Sequence, residues 1–159
     1  LPVPEAVDHN RHAVVMSRVE ATPLCQCVRE DVPRPGPVFR RVMQNLVAIT
    51  KLGLVHCDFN EFNILVHLRL PERDGGGVEG GRDEGDITFI DFPQMVSVHH
   101  PNAREMFDRD VECLLRFFDR KLHYVPEDDD DEEVRALAEL DFDAVAGKGD
   151  GGAGADGPG

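Results

Sequence analysis

The sequence predicts an α+β fold in which a short strand hairpin precedes a mainly helical region. Two segments with helical spacing of apolar residues, 38–52 and 102–122, and three short β-branched runs predict it. The chain has 159 residues, which suit one domain, and 41% of them are hydrophobic, as in ordinary globular proteins. No apolar run approaches the roughly 20 residues of a membrane-spanning helix, so no membrane partner is expected.

The first predicted element is a strand over residues 11–16, whose apolar and β-branched side chains are typical of a buried strand. Residues 22–24 then predict a turn. Three prolines and a glycine over residues 33–37 predict a linker. Pro37 suits the first turn of a helix, where the N–H that proline lacks would have no partner.

A helix is predicted over residues 38–52, and Gly53 provides its end. Its apolar residues recur at helical spacing: Phe39, Val42, Met43, Leu46, Val47 and Ile49. A short apolar run, residues 54–56, then leads into a polar loop over residues 57–63.

Two short strands are predicted next, over residues 64–66 and 87–90. Between them, residues 71–86 contain six glycines and are expected to form a disordered insertion. The two strands would pair as a hairpin whatever the length of that insertion.

The second long helix is predicted to begin with Asn102 as its cap. Beyond it, residues 125–159 hold twelve acidic and two basic residues, a net charge of −10 out of −14 for the whole chain. Such density of like charge predicts a disordered, acidic and glycine-rich tail, with room for one short helix over residues 134–140. The remaining residues lack a strongly basic face, so direct sequence-specific nucleic-acid binding is not expected.

The candidate functional residues are Asp58, Asn63 and Asp91. Asp58 and Asn63 share a loop between a helix and a strand, and Asp91 follows the next strand. Phosphoryl transfer needs a carboxylate beside the attacking group, and carboxylate or amide oxygens around Mg²⁺. A hairpin would return Asp91 toward Asn63, so the spacing predicts a magnesium nucleotide site. The alternative is an ordinary polar turn followed by an aspartate at a strand end.

The motif His56-Cys57-Asp58, with Asn63 and the later Ile90-Asp91-Phe92, resembles the signature that protein kinases share with aminoglycoside-type phosphotransferases. Longer blocks resemble the RIO family of atypical serine/threonine protein kinases, specifically its second subfamily. These blocks are residues 10–16 (NRHAVVM), 58–63 (DFNEFN) and 90–96 (IDFPQMV), extended by residues 100–103 and 107–111. The resemblance covers roughly residues 1–124.

This resemblance implies a protein-kinase-like RIO fold. Residues 1–20 would form the end of the N-lobe and the hinge, and residues 21–124 the C-lobe. Asp58 would be the catalytic aspartate, while Asn63 and Asp91 would bind Mg²⁺. The position of Asp91 is also linked to a phospho-aspartate intermediate, so Asp91 is a second catalytic candidate.

The nucleotide implied by the resemblance is ATP. Met16 would stand at the gatekeeper position, and the Ser17 carbonyl and the Val19 amide would bind adenine. Asp110 resembles the helix aspartate that holds the catalytic loop through backbone amides. Its alternative is a solvent-facing helix residue.

The chain also departs from ordinary protein kinases. Pro93 replaces a glycine, and no activation segment follows it, as in RIO proteins. The glycine-rich phosphate loop and its lysine would precede Leu1, so the N-lobe is expected to be largely missing. The 159 residues alone are therefore expected to turn over ATP slowly or not at all.

By resemblance, the expected function is a serine/threonine kinase or ATPase in maturation of the small ribosomal subunit, with pre-ribosomal particles as partners. A cytoplasmic location is expected, with the nucleus as a second option. The four cysteines match no zinc spacing and fit reduced thiols. The alternatives are a small-molecule phosphotransferase and a truncated, non-catalytic binding module.

Overall fold

The computed structural model describes residues 1–68 and 86–147. Within them, seven short strands form three small antiparallel sheets, accompanied by two long helices and two short ones. The predicted disordered insertion over residues 71–86 lies outside the described residues, apart from Asp86. No helix in these two ranges is both long and apolar enough to cross a bilayer.

The N-terminal hairpin pairs β1 (Ala6–His9) with β2 (Val14–Met16). Its turn is closed by Asn10, whose Oδ1 accepts the N–H groups of His12 and Ala13. Only residues 14–16 of the strand predicted over residues 11–16 form a strand, because residues 11–13 belong to the turn. The predicted burial is wrong, since Val14 is 60% exposed and Met16 is 50% exposed. The physical reason is the topology: β1 and β2 form a sheet of their own, and no third strand among the described residues joins it.

Helix α1 (Pro35–Lys51) begins three residues before its predicted start. Pro35 occupies its first turn, where a missing N–H costs nothing. Its apolar face is buried as the spacing predicts, and Gly53 ends it with a φ of 87°. Residues 22–24 are not a simple turn: β3 (Thr22–Pro23) pairs with a central strand, and a single 3₁₀ turn, Leu24–Gln26, follows.

The central hairpin joins β5 (Ile64–Val66) to β6 (Ile87–Phe89) and confirms the predicted antiparallel pairing. Ile64 lies opposite Phe89, and Val66 opposite Ile87. Two further backbone bonds extend the ladder: His67 N–H to Asp86 O at one end, and Ile90 N–H to Asn63 O at the other. A separate pair, β4 (Leu54–Val55) with β7 (Val96–Ser97), flanks the polar loop.

Helix α2 (Ala103–Leu122) follows the predicted start at Asn102. The Asn102 side chain, however, makes no capping hydrogen bond. The apolar face of α2 is buried: Phe107, Val111, Leu114, Phe118 and Leu122 belong to the core shared with α1.

The predicted disordered tail over residues 125–159 is wrong for residues 125–147. A 3₁₀ turn (Pro126–Asp128) leads into α3 (Glu132–Ala138) and α4 (Phe142–Ala146). Val134, Leu137 and Ala138 lie on one face of α3 and are buried, as is Phe142. Residues 148–159 lie outside the described residues.

The density of acidic residues does not predict disorder in residues 125–147, because several of the acids cap helices or form ion pairs. Asp131 and Asp141 cap α3 and α4 by accepting the N–H groups of Glu133 and Ala144. Arg40 of α1 lies 3.1 Å from the Asp131 carboxylate, and Arg104 of α2 pairs with Asp141. The acidic segment is therefore held by caps and ion pairs around a small apolar face.

Candidate active site

Asp58 lies half-buried in the polar loop between β4 and β5. Its Oδ1 accepts from Asn60 Nδ2 at 2.7 Å, and its Oδ2 accepts from Asn63 Nδ2 at 3.0 Å. Gln94 Nε2 adds a third bond to Oδ2 at 3.1 Å. All three donors are neutral amides, so they fix the direction of the carboxylate without cancelling its charge.

Asn63 connects this carboxylate to the central hairpin. Its side chain is 9% exposed, and its Nδ2 also donates to the Asp58 carbonyl at 2.9 Å. Because the amide nitrogen faces Asp58, the amide oxygen is the atom left to bind a cation. The backbone carbonyl of Asn63 accepts from Ile90 N–H at 3.0 Å, so Asp91, the next residue along the chain, leaves the hairpin beside Asn63.

Asp91 is exposed and has a φ of 67°, in the left-handed region. A non-glycine residue in this conformation is strained unless its surroundings hold it there. The pairing of Ile90 with Asn63 on one side, and the bond from Gln94 Nε2 to the Asp91 carbonyl at 3.5 Å on the other, do so. The central hairpin therefore brings Asp91 beside Asn63, and Asn63 is hydrogen-bonded to Asp58. The three residues lie at the same end of the hairpin, as the sequence predicts.

The donor set of this end fits magnesium. One carboxylate (Asp91) and one amide oxygen (Asn63) are hard oxygen ligands, which Mg²⁺ prefers over nitrogen or sulfur. Mg²⁺ usually keeps several waters and takes only one or two protein ligands, so two side chains suffice. The metal roles of Asn63 and Asp91 stay predictions, which the arrangement of their backbones favours.

Asp110 of α2 holds the loop over residues 57–63 by accepting hydrogen bonds from its backbone. It is 2% exposed, and its two carboxylate oxygens accept the N–H groups of Cys57 at 2.9 Å and Phe59 at 3.2 Å. Cys57 has a φ of 68°, and its carbonyl accepts from Arg109 Nη2. The interpretation of Asp110 as the residue that holds the loop is confirmed, and the solvent-facing alternative is wrong.

Burial raises the pKa of the Asp110 carboxyl to about 6, although the two N–H donors act in the opposite direction. Because this folded value lies above the ordinary value of 3.8, the folded chain binds the proton more tightly than the unfolded chain. The stability that proton binding to Asp110 adds is therefore complete below about pH 4 and is lost as the pH rises through about 6.

We expect a ¹³C NMR titration of the Asp110 carboxyl carbon to show a midpoint near 6. The signal is assigned by its absence in Asp110→Asn. A midpoint near 4, the ordinary aspartate value, would show that burial does not raise the pKa of this carboxyl.

His56 begins the motif and is fully buried beneath the loop. Its ring contacts Phe59 and Phe92 edge-on, with centroid distances of 5.3 and 5.5 Å, and neither ring nitrogen has a hydrogen-bond partner among the described residues. Burial lowers the pKa of the imidazole, with Asp58 opposing that shift. His56 is therefore a neutral packing residue that supports the loop through its ring.

Sequence reasoning missed two residues that touch the Asp58 carboxylate, Asn60 and Gln94. Both lie inside the blocks that carry the family resemblance, DFNEFN and IDFPQMV. The available signal was their residue type and position, since each is an amide within three residues of Asp58 or Asp91.

The predicted adenine contacts, Ser17 and Val19, do not lie beside the candidate metal ligands. Ser17 and Val19 line a cavity of about 560 Å³, together with His67 and Thr88 of the central hairpin. Met16 is half-exposed and is not among its lining residues. The cavity lies at the end of the hairpin where His67 pairs with Asp86, and Asn63 lies at the other end. Four residues separate His67 from Asn63, which is about 13 Å along a strand that rises about 3.3 Å per residue. The structure thus separates the predicted adenine contacts from the predicted metal ligands.

Comparison with known proteins extends these observations. The chain matches the family described as RIO domain over residues 1–71 and 82–131. Serine/threonine-protein kinase rio2 of Dictyostelium discoideum is 43% identical over 126 residues, which cover 79% of this chain and 21% of that protein. The protein of the same name from Schizosaccharomyces pombe is 36% identical over 144 residues, covering 89% of this chain and 37% of that protein.

A solved structure is also similar. The crystal structure of the Rio2 kinase-ADP/Mg²⁺-phosphoaspartate complex from Chaetomium thermophilum has a TM-score of 0.64 and 38% identity. The match covers 92% of this chain and 43% of that one, so the chain spans less than half the length of each of these relatives. The predicted kinase-like RIO fold is confirmed, and the chain belongs to the RIO family.

Proposed function

We propose that this chain carries the catalytic and metal-binding residues of a RIO-type serine/threonine kinase or ATPase, which transfers a phosphoryl group from Mg-ATP. One observation carries the proposal: the hairpin sets Asp91 beside Asn63, and the Asn63 amide is hydrogen-bonded to the Asp58 carboxylate. The Rio2 proteins to which the chain is similar are named as serine/threonine kinases, and one was crystallised with ADP and Mg²⁺.

Each residue has a defined task in this proposal. Bound Mg²⁺ would neutralise the charge that develops on the phosphate oxygens. Asn63 Oδ1 and one Asp91 oxygen would hold it. Asp58, whose direction is fixed by three amides, would accept the proton of the hydroxyl or water that attacks in the final step. The phosphoaspartate of the Chaetomium complex favours a carboxylate as first acceptor, and we assign that role to Asp91. One Asp91 oxygen would form a bond to the terminal phosphorus of ATP as the bond between that phosphorus and ADP breaks. In a second step, water or an acceptor hydroxyl would take the phosphoryl group and free the Asp91 carboxylate.

ATP would lie along the central hairpin, with adenine in the cavity lined by Ser17 and Val19. The separation of about 13 Å between the two ends of the hairpin suits a nucleotide that spans from base to terminal phosphate. We also propose the cellular role implied by the family: maturation of the small ribosomal subunit in the cytoplasm, with pre-ribosomal particles as partners. Co-sedimentation of the tagged protein with small-subunit precursors would test that role.

The site is tested by binding of ADP to the 159-residue chain, measured by calorimetry with excess Mg²⁺ and with EDTA. We expect Mg²⁺ to tighten binding at least about tenfold, or about 1.4 kcal/mol. Asp91→Asn should lose this dependence, because it removes the charged ligand. Asparagine tolerates the left-handed backbone at this position, so the variant should fold.

The matched control is Asp119→Asn, an identical change at an exposed position of α2. It should bind ADP with the full Mg²⁺ dependence. If Asp91→Asn keeps that dependence, the metal assignment is wrong. If the unchanged chain binds no nucleotide under any condition, a non-catalytic binding module becomes the better description.

A further inference from the structure

A second cavity, of about 410 Å³, lies between the Asp58 loop and the C-terminal half of α2. It is separate from the candidate active site, since neither Asp58, Asn63 nor Asp91 lines it. Its walls combine two aromatic rings, two thiols and three cations: Phe62, Phe117, Cys25, Cys113, Arg116, Arg120 and Lys121.

Phe62 is the unusual member of this wall. Its side chain is 64% exposed, although its backbone is fixed. Its N–H donates to Asn60 Oδ1 at 3.0 Å, and the adjacent Glu61 carbonyl accepts from Cys25 N–H at 2.9 Å. Because the Phe62 ring is exposed to water, it contributes little to the hydrophobic core. Exposed aromatic rings on a fixed backbone commonly serve as anchors for a binding partner.

The cavity is also positively charged within an acidic chain. Its three cations face one lining acid, Glu61, in a chain whose net charge is −14. Arg116 pairs with Glu112 at 2.6 Å, but Arg120 and Lys121 have no ion pair within residues 1–68 and 86–147. Their place at the end of α2 suits the helix dipole, but the dipole does not explain the exposed ring beside them.

We infer that this cavity binds an acidic peptide segment with one large apolar side chain, belonging to the protein that accepts the phosphoryl group. This rests on the proposed function. The apolar side chain would pack on Phe62 and Phe117, and flanking carboxylates would pair with Arg120 and Lys121. A nucleic acid fits less well, because its backbone needs a continuous basic track and the strongly acidic chain repels it.

The position of the cavity connects it to the reaction. Phe62 is four residues from Asp58, so their Cα atoms lie at most about 15 Å apart. Four or five extended residues of a bound segment therefore cover the distance to the Asp58 carboxylate. The loop that carries the catalytic candidates would also carry the surface that holds the acceptor.

The native thiols allow a direct test. Cys25 and Cys113 line the cavity and are partly exposed, while Cys27 and Cys57 are buried free thiols that serve as internal controls. The probe is a synthetic peptide, Asp-Glu-Asp-Phe-Asp-Glu-Asp. Three further probes are the peptide with Ser in place of Phe, a Lys-for-acid version, and single-stranded oligothymidylate. Alkylation of each cysteine by iodoacetamide is followed by mass spectrometry.

We expect only the acidic Phe peptide to slow alkylation of Cys25 and Cys113, by at least about fivefold near saturation. Arg120→Glu and Phe62→Ala should each weaken peptide binding about tenfold by fluorescence anisotropy. Arg11→Glu, a charge reversal at a residue of the N-terminal hairpin that does not line the cavity, should leave it unchanged. Two separate variants keep the test valid if either fails to fold.

Other outcomes overturn the inference. Equal protection by oligothymidylate would make the cavity a nucleic-acid site, and equal protection by the Lys peptide would exclude charge recognition. If no probe protects the two cysteines, the cavity does not bind an acidic peptide and the inference is wrong. Mg²⁺-dependent ADP binding by Arg120→Glu, measured in parallel, separates these failures from a failure of the proposed phosphoryl transfer.

Discussion

Replacing Asp110 with Ala is expected to lower the free energy of unfolding by about 3 kcal/mol or more, because it strands two buried backbone donors. The N–H groups of Cys57 and Phe59 would lose their only acceptor among the described residues. Cys57 is held at a φ of 68°, which a non-glycine residue does not keep without support. The loop should therefore relax and move Asp58 away from Asn63.

Urea unfolding measures the loss of stability, and hydrogen exchange of the Cys57 and Phe59 amides locates it. The matched control is Asp108→Ala on the exposed face of the same helix, which should change stability by less than about 0.5 kcal/mol. Asp110→Asn should fall between them, since one amide oxygen can serve only part of the pair. Unchanged exchange of the two amides in Asp110→Ala would contradict the supporting role of Asp110.

The parts of the fold that the sequence predicts well are those specified by local pattern. The face of α1 follows from apolar residues at helical spacing, and Gly53 marks its end because a left-handed φ is needed there. The pairing of Ile64–Val66 with β6 follows from two short apolar strands that are predicted one after the other along the chain. Since the candidate residues sit at the ends of these elements, their convergence could be predicted as well.

The burial of the N-terminal hairpin could not be predicted, because β-branched composition reports strand geometry and not burial. Residues 14–16 form a strand, but burial depends on which surface covers the sheet, and a single run of apolar residues carries no such information. The same limit applies to the predicted adenine contacts: Ser17 and Val19 face one cavity, while Met16 does not line it.

The order of the acidic segment escapes sequence reasoning for a different reason. Net charge describes the average of a segment, whereas folding depends on where each charge is placed. Asp131 and Asp141 stand at helix starts, where carboxylates stabilise, and Val134 and Leu137 are spaced to share a face. The cations that pair with this segment belong to helices far away in sequence, α1 and α2, so no local pattern could reveal them.

Phe142→Ala is therefore expected to be among the most destabilising changes in the chain, by about 3–5 kcal/mol. Phe142 is 1% exposed and its ring lies 5.5 Å from that of Phe107, which is fully buried in α2. Arg104 covers its other side at 5.7 Å from the ring centroid. Truncation leaves either a cavity against Phe107 or a detached α4 that exposes Phe107, and both outcomes remove the same apolar contact.

The control for this change is Phe62→Ala, which deletes an identical side chain at a position that is 64% exposed. We expect it to change the free energy of unfolding by less than about 0.5 kcal/mol. Urea midpoints of both variants, with limited proteolysis to locate any opening near α4, measure the difference. Equal stability of the two variants would mean that residues 125–147 contribute nothing to the core. A large difference would show that the domain continues past Tyr124, with the acidic segment as a folded layer on α1 and α2.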